Sequence, residues 1–546
     1  MKRIVWTLML CLAWPLSGQA HFLWLLPETR GPDAKVHVYF GESAAPDDPA
    51  LLDKVVKAEV WSVGGRAGAQ ALTLTKTGDD LAAPLTGAAG SSTMILRHAY
   101  GVVAKGGAPF LLNYGAKAYP FSLSGSWKAV GDVERLPLEI VPRLERDQVV
   151  LLVTWHGKPL AGSAMHVSGD GIEKAIEGTT DADGRFVCSL PKSGLFSIRA
   201  KHVEEKTGEH DGKAYQQVRH YSTLTLPYAA PQLAPMAQTW PPLPKGTTSF
   251  GGAVVGSALY VYGGNYGSAH EYANEDQSGD LWRLDLAKST SWEKIAEGPK
   301  LQGLAMVEHR GLLYRLGGFT ATNKAGEKED LRSQADFAKF DPQTSQWTEQ
   351  PKLTEPRSSH EAALIGDTVY IVGGWNMQGG GNGAHWHTTA WACDLSAAKL
   401  EWKPIASPDF TRRALSLVNW NGKLLCIGGM TEKGGPTTAT AAFDPARKEW
   451  ANGPALIGGG MEGFGSSAFF VGGDVYATTM SGAIQRLKKD AAAWEVLGQL
   501  QHPRFFHRVL PWHGGKLVVI GGSSMETGKV LVPELLVTDG TATAAR

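Results

Sequence analysis

The sequence predicts an all-β protein, and three observations support that fold class. A short apolar run ending in two glycines recurs four times, with the second glycine at Gly264, Gly318, Gly374 and Gly429. A tryptophan follows each doublet, and successive doublets lie roughly 55 residues apart, a spacing typical of propellers in which each repeat forms one blade. The composition agrees, because 66 glycines, 18 tryptophans and 19% charged residues suit a turn-rich chain of strands.

Two further repeats complete the predicted ring. The fifth keeps its strand and Trp494 but has Thr479-Met480 in place of the glycines, and the sixth restores the doublet at Gly522 without a later tryptophan. Trp240 stands ahead of the first doublet and has no doublet of its own. We therefore predict six blades over residues 246–546, closed by the segment around Trp240, because closure removes open sheet edges. The strand, the doublet and the tryptophan together resemble the Kelch repeat.

The start of the chain predicts a signal peptide over residues 1–20. Lys2 and Arg3 precede an apolar run that is too short to span a bilayer, and Gly18-Gln19-Ala20 provides a cleavage site. We expect an exported bacterial protein, periplasmic or secreted, with no membrane span after cleavage. Lys+Arg 53 balances Asp+Glu 53, which argues against nucleic acid as a partner.

The region between the leader and the propeller predicts two small β-domains, an immunoglobulin-like β-sandwich region. Alternating segments such as VHVYFGE and KAEVWSV place the first domain over residues 21–148. The second covers 149–228, and its TTDADGRF turn resembles those of transthyretin-like and other immunoglobulin-like modules. A proline-rich stretch marks 229–245 as the linker and closing strand, and predicts a semi-rigid spacer.

Three segments of this region also resemble a known bacterial family. They are HFLWLLP, KVHVYFGE and EEKTGEHDGKAYQQVRHYSTLTL. The family consists of secreted domains of unknown function that were formerly described as components of nickel uptake. The resemblance implies a periplasmic β-sandwich with a metal connection and no established reaction.

Cleavage after Ala20 would leave His21 as the first residue of the mature chain. Its amine and one imidazole nitrogen would chelate a metal ion, and one further histidine would complete the histidine brace known from copper proteins. Nitrogen ligands in a tetragonal arrangement suit Cu(II). We therefore predict a copper or nickel site at His21, with His220 preferred over His98 and His202 as the second ligand. The alternative is that these histidines are ordinary polar residues.

The cysteines predict no disulfide framework. Cys188, Cys393 and Cys426 remain after cleavage, and an odd, sparse set in an exported chain favours buried thiols. Pairing of Cys393 with Cys426, from neighbouring blades, is the alternative.

Basic residues recur near the predicted mouth of the propeller. Arg357 and His360 occupy the same offset in the third blade as Arg504 and His507 in the sixth, and Arg412 lies nearby in the fourth. These side chains either line a central ligand pocket or satisfy backbone carbonyls of the propeller. Both interpretations stay open at the level of sequence.

Two long polar loops, residues 268–280 and 376–391, are further candidates for binding. In the second loop His385 and His387 flank Trp386, and histidines two residues apart on an extended segment could share a metal ion.

The combined pattern favours an exported, non-catalytic binding protein. Its propeller would be a platform for a protein or carbohydrate ligand, and its N-terminal region would carry the metal. The alternative is a periplasmic carbohydrate-active enzyme, because one six-bladed Kelch group resembles sialic-acid mutarotases, which use charged residues in the central pocket. Glu361 would join the basic residues in that case. A structural cell-envelope adhesin without metal is a third interpretation.

Overall fold

The computed structural model describes residues 21–28, 34–64, 68–85, 92–104, 107–145, 148–236, 238–268, 271–288, 291–380 and 382–538. The predicted signal peptide lies outside these ranges. The helical segments described are short 3-10 turns at Pro49–Lys54, Ser124–Ser126, Asn274–Asp276 and Gly460–Gly463. Across the same ranges, no helix is long and apolar enough to cross a membrane.

In the described part of the N-terminal region, strands are the main elements, joined by two of these turns. In chain order the strands are β1 (Phe22–Glu28), β2 (Lys35–Gly41), β3 (Glu59–Val63), β4 (Ala69–Leu72), β5 (Thr75–Thr77), β6 (Asp80–Pro84), β7 (Thr93–Val103), β8 (Phe110–Ala118), β9 (Leu138–Glu145), β10 (Gln148–Trp155), β11 (Lys158–Pro159), β12 (Ala164–Gly169), β13 (Ile176–Thr179), β14 (Arg185–Cys188), β15 (Ser193–Glu204), β16 (Gly208–His210), β17 (Lys213–Tyr215) and β18 (Gln217–Ala229).

These strands form three stacked layers. The middle layer is an eight-stranded sheet in the order β13-β12-β15-β18-β8-β7-β3-β4. One of its faces packs on the sheet β1-β2-β6-β5 and the other on the sheet that contains β9, β10, β11 and β14. Successive side chains of β15 point to opposite faces of the middle sheet. Phe196 and Ile198 pack in the core shared with β9 and β10, whereas Arg199 lies against Phe22 of β1 on the other face.

One sheet therefore runs through both predicted N-terminal units. Strand β18 pairs with β8 in parallel, from Gln217 beside Phe110 to Thr225 beside Ala118. The predicted boundary at residue 148 falls inside the β9–β10 hairpin. The physical reason is that the two units share a middle layer, so neither buries its apolar strands alone.

The C-terminal region forms six blades around one axis. Blade one contains β19 (Gly251–Val255), β20 (Ala258–Tyr262), β21 (Asp280–Asp285) and β22 (Glu293–Glu297). Blade two contains β23 (Ala305–His309), β24 (Leu312–Leu316), β27 (Phe337–Asp341) and β28 (Gln346–Glu349), with the ribbon β25 (Phe319–Ala321) and β26 (Leu331–Ser333). Blade three contains β29 (Glu361–Ile365), β30 (Thr368–Val372), β33 (Ala390–Asp394) and β34 (Lys403–Ile405), with the ribbon β31 (Trp375–Met377) and β32 (Ala384–Trp386).

Blade four contains β36 (Ser416–Trp420), β37 (Lys423–Ile427), β40 (Thr440–Asp444) and β41 (Glu449–Gly453), with the ribbon β35 (Arg412–Arg413), β38 (Met430–Thr431) and β39 (Gly435–Pro436). Blade five contains β42 (Ser467–Val471), β43 (Asp474–Thr478), β44 (Ala483–Leu487) and β45 (Glu495–Gln499). Blade six contains β46 (Arg508–Trp512), β47 (Lys516–Ile520) and β50 (Glu534–Val537), with the ribbon β48 (Ser523–Ser524) and β49 (Gly528–Lys529). The predicted all-β chain with six blades is confirmed.

A closed ring of backbone hydrogen bonds joins the blades at the axis. One residue just before each innermost strand donates its N–H to the equivalent carbonyl of the preceding blade, over 2.6 to 3.3 Å. All six residues have φ between 51° and 60°. We call these residues the axial ring: Ser249, Gly303, Ser359, Ala414, Gly465 and Phe506. The bond from Ser249 to Phe506 closes the circle, so the number of blades is fixed by the ring.

The segment ahead of blade one takes the outer position of blade six, as predicted. Met236 bridges Leu535 of β50, and the Trp240 indole packs edge-to-face on Trp512 at 5.2 Å. The Trp240 Nε1–H donates to the Leu286 carbonyl of blade one. The chain before blade one therefore staples blade six to blade one.

The tryptophans of four other blades act in the same way. Trp292, Trp402, Trp450 and Trp494 each donate an indole N–H to a carbonyl in the neighbouring outer segment, at 2.7 to 3.3 Å. Each indole thus fills the wedge between two blades and satisfies a backbone acceptor there.

The proline-rich stretch lies along the propeller and does not act as the predicted spacer. The Leu233 N–H donates to the Leu497 carbonyl of blade five. The N-terminal region contacts the propeller directly, because Lys128 forms an ion pair with Glu526 and Gly125 lies close to Ser481. The contacts of Lys128 and Gly125 lie at the end of the propeller that carries the axial ring and the ribbons. We call this end the upper face and the opposite end the lower face.

Gly465→Ala tests the axial ring. An added Cβ at Gly465 would lie 2.8 Å from the ring of Phe506, and the residue keeps φ at 60°. We expect the free energy of unfolding to fall by about 2–4 kcal/mol, measured by denaturant titration, from backbone strain plus crowding. Gly256→Ala is the control, because φ is 59° and nothing lies within 4 Å of its Cβ position. The control should lose only about 1–2 kcal/mol, and equal losses would contradict the account.

Candidate functional site

The arginines predicted at the mouth point into their blades. Arg357 is 0% exposed, and its Nη1 donates at 2.9 Å to the carbonyls of Gly373 and Thr389. Its Nη2 donates to Glu355 at 2.7 Å. Burial lowers the pKa of Arg357 to about 10, while the Glu355 carboxylate opposes that shift. Arg357 therefore joins the glycine doublet to the third strand of its own blade.

Arg504 and Arg412 repeat this arrangement. Arg504 is fully buried, and it donates to the carbonyls of Gly521 and Val532 and to the Glu534 carboxylate. Arg412 donates to the Ala439 carbonyl at 2.8 Å. All three guanidinium groups satisfy blade carbonyls, which is the second of the two interpretations that the sequence left open.

His360 and His507 are wedges between blades. Each follows an axial-ring residue directly, at the position that Phe250, Leu304, Leu415 and Ser466 take in the other blades. An added Cβ at Gly317 or Gly374 would come within 2.8 Å of His360, so its ring fills the space between two glycine doublets. Burial, reinforced by Arg357 and Arg504, lowers the pKa of both histidines well below the usual range, so both rings are neutral.

A charged pair does cross the axis. Arg508 forms an ion pair with Glu361, from the opposite blade, and donates at 3.0 Å to the carbonyls of Phe250 and Leu304. The Arg508 side chain is 19% exposed and that of Glu361 is 11% exposed. Sequence reasoning named Glu361 and missed Arg508, although Arg508 directly follows His507 in the repeated pattern.

The pair separates two axial cavities. A small one of about 50 Å³ lies between the pair and the axial ring. A larger one of about 310 Å³ extends toward the lower face between the innermost strands. Apolar side chains such as Val307 and Phe469 line it together with the polar side chains of Glu308 and Asn419.

Half-exposed aromatic side chains lie on the upper face. Trp386, inside the long loop 376–391 that was predicted to bind, packs at 5.5 Å on Trp375 across the ribbon β31–β32. Tyr272 comes from the other long loop. Phe464 and Phe506 stand together at 5.0 Å beside the ring. Flat, half-exposed aromatic surface of this kind suits ligand contact.

The predicted metal ligands make contacts of different kinds. His21 lies 3.6 Å from Asp47, and His98 is buried with an unpartnered Nε2. His202 and His220 stack on each other at 6.2 Å, and His220 bonds Glu204 at 2.8 Å.

Within the described ranges, no group of three His, Cys, Asp or Glu side chains could hold a metal ion. The copper or nickel site therefore stays a prediction. In the long loop, His385 is exposed whereas His387 is buried and bonds the Pro356 carbonyl at 3.0 Å.

The three cysteines are free and buried, which confirms the thiol interpretation. Burial raises the pKa of Cys188 to about 11 and that of Cys426 to about 12. These thiols are therefore protonated and act as small apolar side chains.

Known proteins resemble different parts of the chain. A family model described as "Domain of unknown function (DUF4198)" matches residues 18–204. The propeller region is similar to N-acetylneuraminate epimerase from Pasteurella multocida (strain Pm70), 26% identical over 325 residues, covering 56% of this chain and 74% of that protein. Kelch-like protein 23 from Homo sapiens is 24% identical over 269 residues, 46% of this chain and 42% of its own length.

The chain carries a DUF4198 domain at its N-terminus and a Kelch-type propeller. Beta-scruin from Limulus polyphemus is 27% identical over 191 residues, 35% of this chain and 20% of that protein. The chain thus spans less than half of beta-scruin and of Kelch-like protein 23. A solved structure of YjhT aligns with a TM-score of 0.45 and 17% identity, covering 55% of this chain and 98% of that one.

The wedge histidines predict acid sensitivity. Their folded-state pKa values are depressed, so below about pH 6.5 the unfolded chain binds protons that the folded chain excludes. The stability they contribute is complete above that pH and is lost as the pH falls. We expect thermal melting between pH 7 and 5 to show a decline of up to about 1.4 kcal/mol per pH unit for each histidine.

His360→Leu, which installs the residue of blades two and four, should flatten this decline. His513→Gln is the control, because His513 is exposed. If stability falls with pH as steeply in His360→Leu as in the wild-type protein, the assignment of this fall to His360 is contradicted.

Proposed function

We propose that this protein is an exported, non-catalytic binding protein whose propeller captures a ligand, a protein or a carbohydrate, on its upper face. The observation that carries the proposal is a contrast in exposure. The arginines and histidines predicted at the mouth are bonded or wedged inside the blades, whereas aromatic side chains of the two long loops are half-exposed. Long loops on a rigid scaffold are where binding residues concentrate.

The surroundings of the upper face support the same proposal. The N-terminal region borders it through Lys128, which pairs with Glu526, and through Gly125, which approaches Ser481. A ligand on this face would therefore lie beside two domains, a position that binding sites favour. Export is supported by the predicted leader.

Trp386→Ala tests the location of the site. The protein is applied to an array of oligosaccharides and peptides, and we expect Trp386→Ala to lower the signal of bound members at least tenfold, because its indole faces the ligand. Trp420→Ala is the matched control, since Trp420 is also half-exposed but lies at the lower end of β36. If Trp420→Ala loses the binding signal and Trp386→Ala retains it, the site lies at the lower end of the propeller and the proposal is overturned.

A second candidate is an epimerase of acidic sugars with its site in the larger axial cavity. Two observations favour it: the similarity to N-acetylneuraminate epimerase, and the presence of Arg508 and Glu361 at the inner end of a cavity of about 310 Å³. Glu361 would act as the general acid or base and Arg508 would bind the sugar carboxylate.

Epimerisation of N-acetylneuraminate, followed by proton NMR, separates the two candidates. We expect the wild-type protein not to accelerate it, because Glu361 and Arg508 already neutralise each other. Acceleration that falls at least a hundredfold in Glu361→Gln, with an unchanged melting temperature, would instead establish the enzyme. Asp367→Asn, on a lower-face turn outside the cavity, serves as the control variant.

A further inference from the structure

Arg413 is an unusual cation on the upper face. It directly precedes the axial-ring residue Ala414, and its guanidinium lies 4.1 Å from the centre of the Trp375 ring and 5.5 Å from that of Trp386. Tyr272, from the other long loop, lies near enough to influence its pKa. Both loops singled out in the sequence thus converge on one arginine.

No carboxylate of the described residues lies within 4 Å of this guanidinium. Over the described part of the chain, its side chain makes no ion pair or hydrogen bond, and its Nε is buried without a partner. Burial lowers the pKa of Arg413, and the Tyr272 hydroxyl opposes that shift. Arg357 and Arg504, by contrast, each bond a glutamate and two or more carbonyls.

The charge is also confined to one blade. The equivalent positions of the other five blades carry uncharged residues, namely Thr248, Gln302, Ser358, Phe464 and Phe505. The packing of the propeller therefore does not require a cation before the ring. The indole rings offset part of the cost of this half-buried charge, and a carboxylate supplied by a ligand would offset more of it.

We propose that Arg413, between Trp375 and Trp386, binds the carboxylate group of the ligand on the upper face. Trp375 lies over the guanidinium at 4.1 Å and Trp386 lies farther away at 5.5 Å. A carboxylate would accept two parallel hydrogen bonds from the terminal N–H groups of Arg413. The half-exposed rings of Trp386 and Tyr272 then contact the apolar body of the same ligand. This inference rests on the proposed function and adds the chemistry of the ligand.

Matched probes test the charge requirement. Benzoate and its neutral analogue benzamide are titrated into the full chain, and dissociation constants are measured by saturation-transfer NMR. We expect benzoate to bind at least tenfold more tightly than benzamide. Arg413→Gln should remove that advantage and leave benzamide binding within twofold.

A peptide arm distinguishes the source of the carboxylate. A capped triglutamate peptide that binds more tightly than benzoate, against a capped triglutamine reference, would assign the site to acidic protein segments. The reverse order would assign it to small carboxylates such as sugar acids.

Two variants control for charge and folding. Arg332→Gln removes a positive charge from the same face, but Arg332 is exposed and already paired with Asp330, so benzoate binding should persist. Arg413→Lys keeps the positive charge but lacks the two parallel N–H donors of the guanidinium. It should bind benzoate several-fold more weakly, with an unchanged melting temperature.

The outcomes separate this inference from the proposed function. Equal binding of benzoate and benzamide, both weakened in Trp386→Ala, would overturn the carboxylate assignment and leave the binding face intact. Failure of every probe to bind, or binding unaffected by both Trp386→Ala and Arg413→Gln, would overturn both.

Discussion

The closed ring of six backbone hydrogen bonds around the axis is the constraint on which the propeller depends. Each axial-ring residue adopts a left-handed conformation, in which its N–H and C=O both serve neighbouring blades. That geometry places the residue directly after each axial-ring residue between two glycine doublets. The residue after that begins the innermost strand of the blade. Arginines such as Arg357 then clamp the doublet carbonyl to the third strand. The basic pattern at the mouth is therefore used to hold blades together, which leaves the loops of the upper face for binding.

The sequence was sufficient for the architecture because its signals are local and repeated. Glycine doublets and trailing tryptophans mark each blade, and the unpaired Trp240 indicates closure by the segment before blade one. The ring itself could not be predicted, because its six members, from Gly303 to Phe506, share a backbone conformation and no side chain. The eight-stranded sheet was missed for a related reason: β8 and β18 pair in parallel across a long stretch of intervening chain, with no turn to signal it.

The candidate site was predictable only in part. The two long loops were identified by length and polarity, yet nothing in either indicates that they converge on Arg413. Arg508 meets Glu361 across the axis, 147 residues away, so their pairing depends on the closed ring. The sequence left the direction of Arg357 and Arg504 open, since the same side chains could line a central ligand pocket or satisfy backbone carbonyls of the propeller. The proline-rich stretch predicted a spacer because proline content reports stiffness and says nothing about what the segment packs against.

The central claim is that ligands are held on the upper face and not in the axial cavity. A crystal structure of the full chain soaked with benzoate tests it most directly, because the two sites lie on opposite sides of the axial ring. The account predicts the carboxylate against Arg413, with the phenyl ring beside Trp386. Benzoate in the larger axial cavity against Arg508, with Glu361 displaced, would contradict the account and support the enzyme.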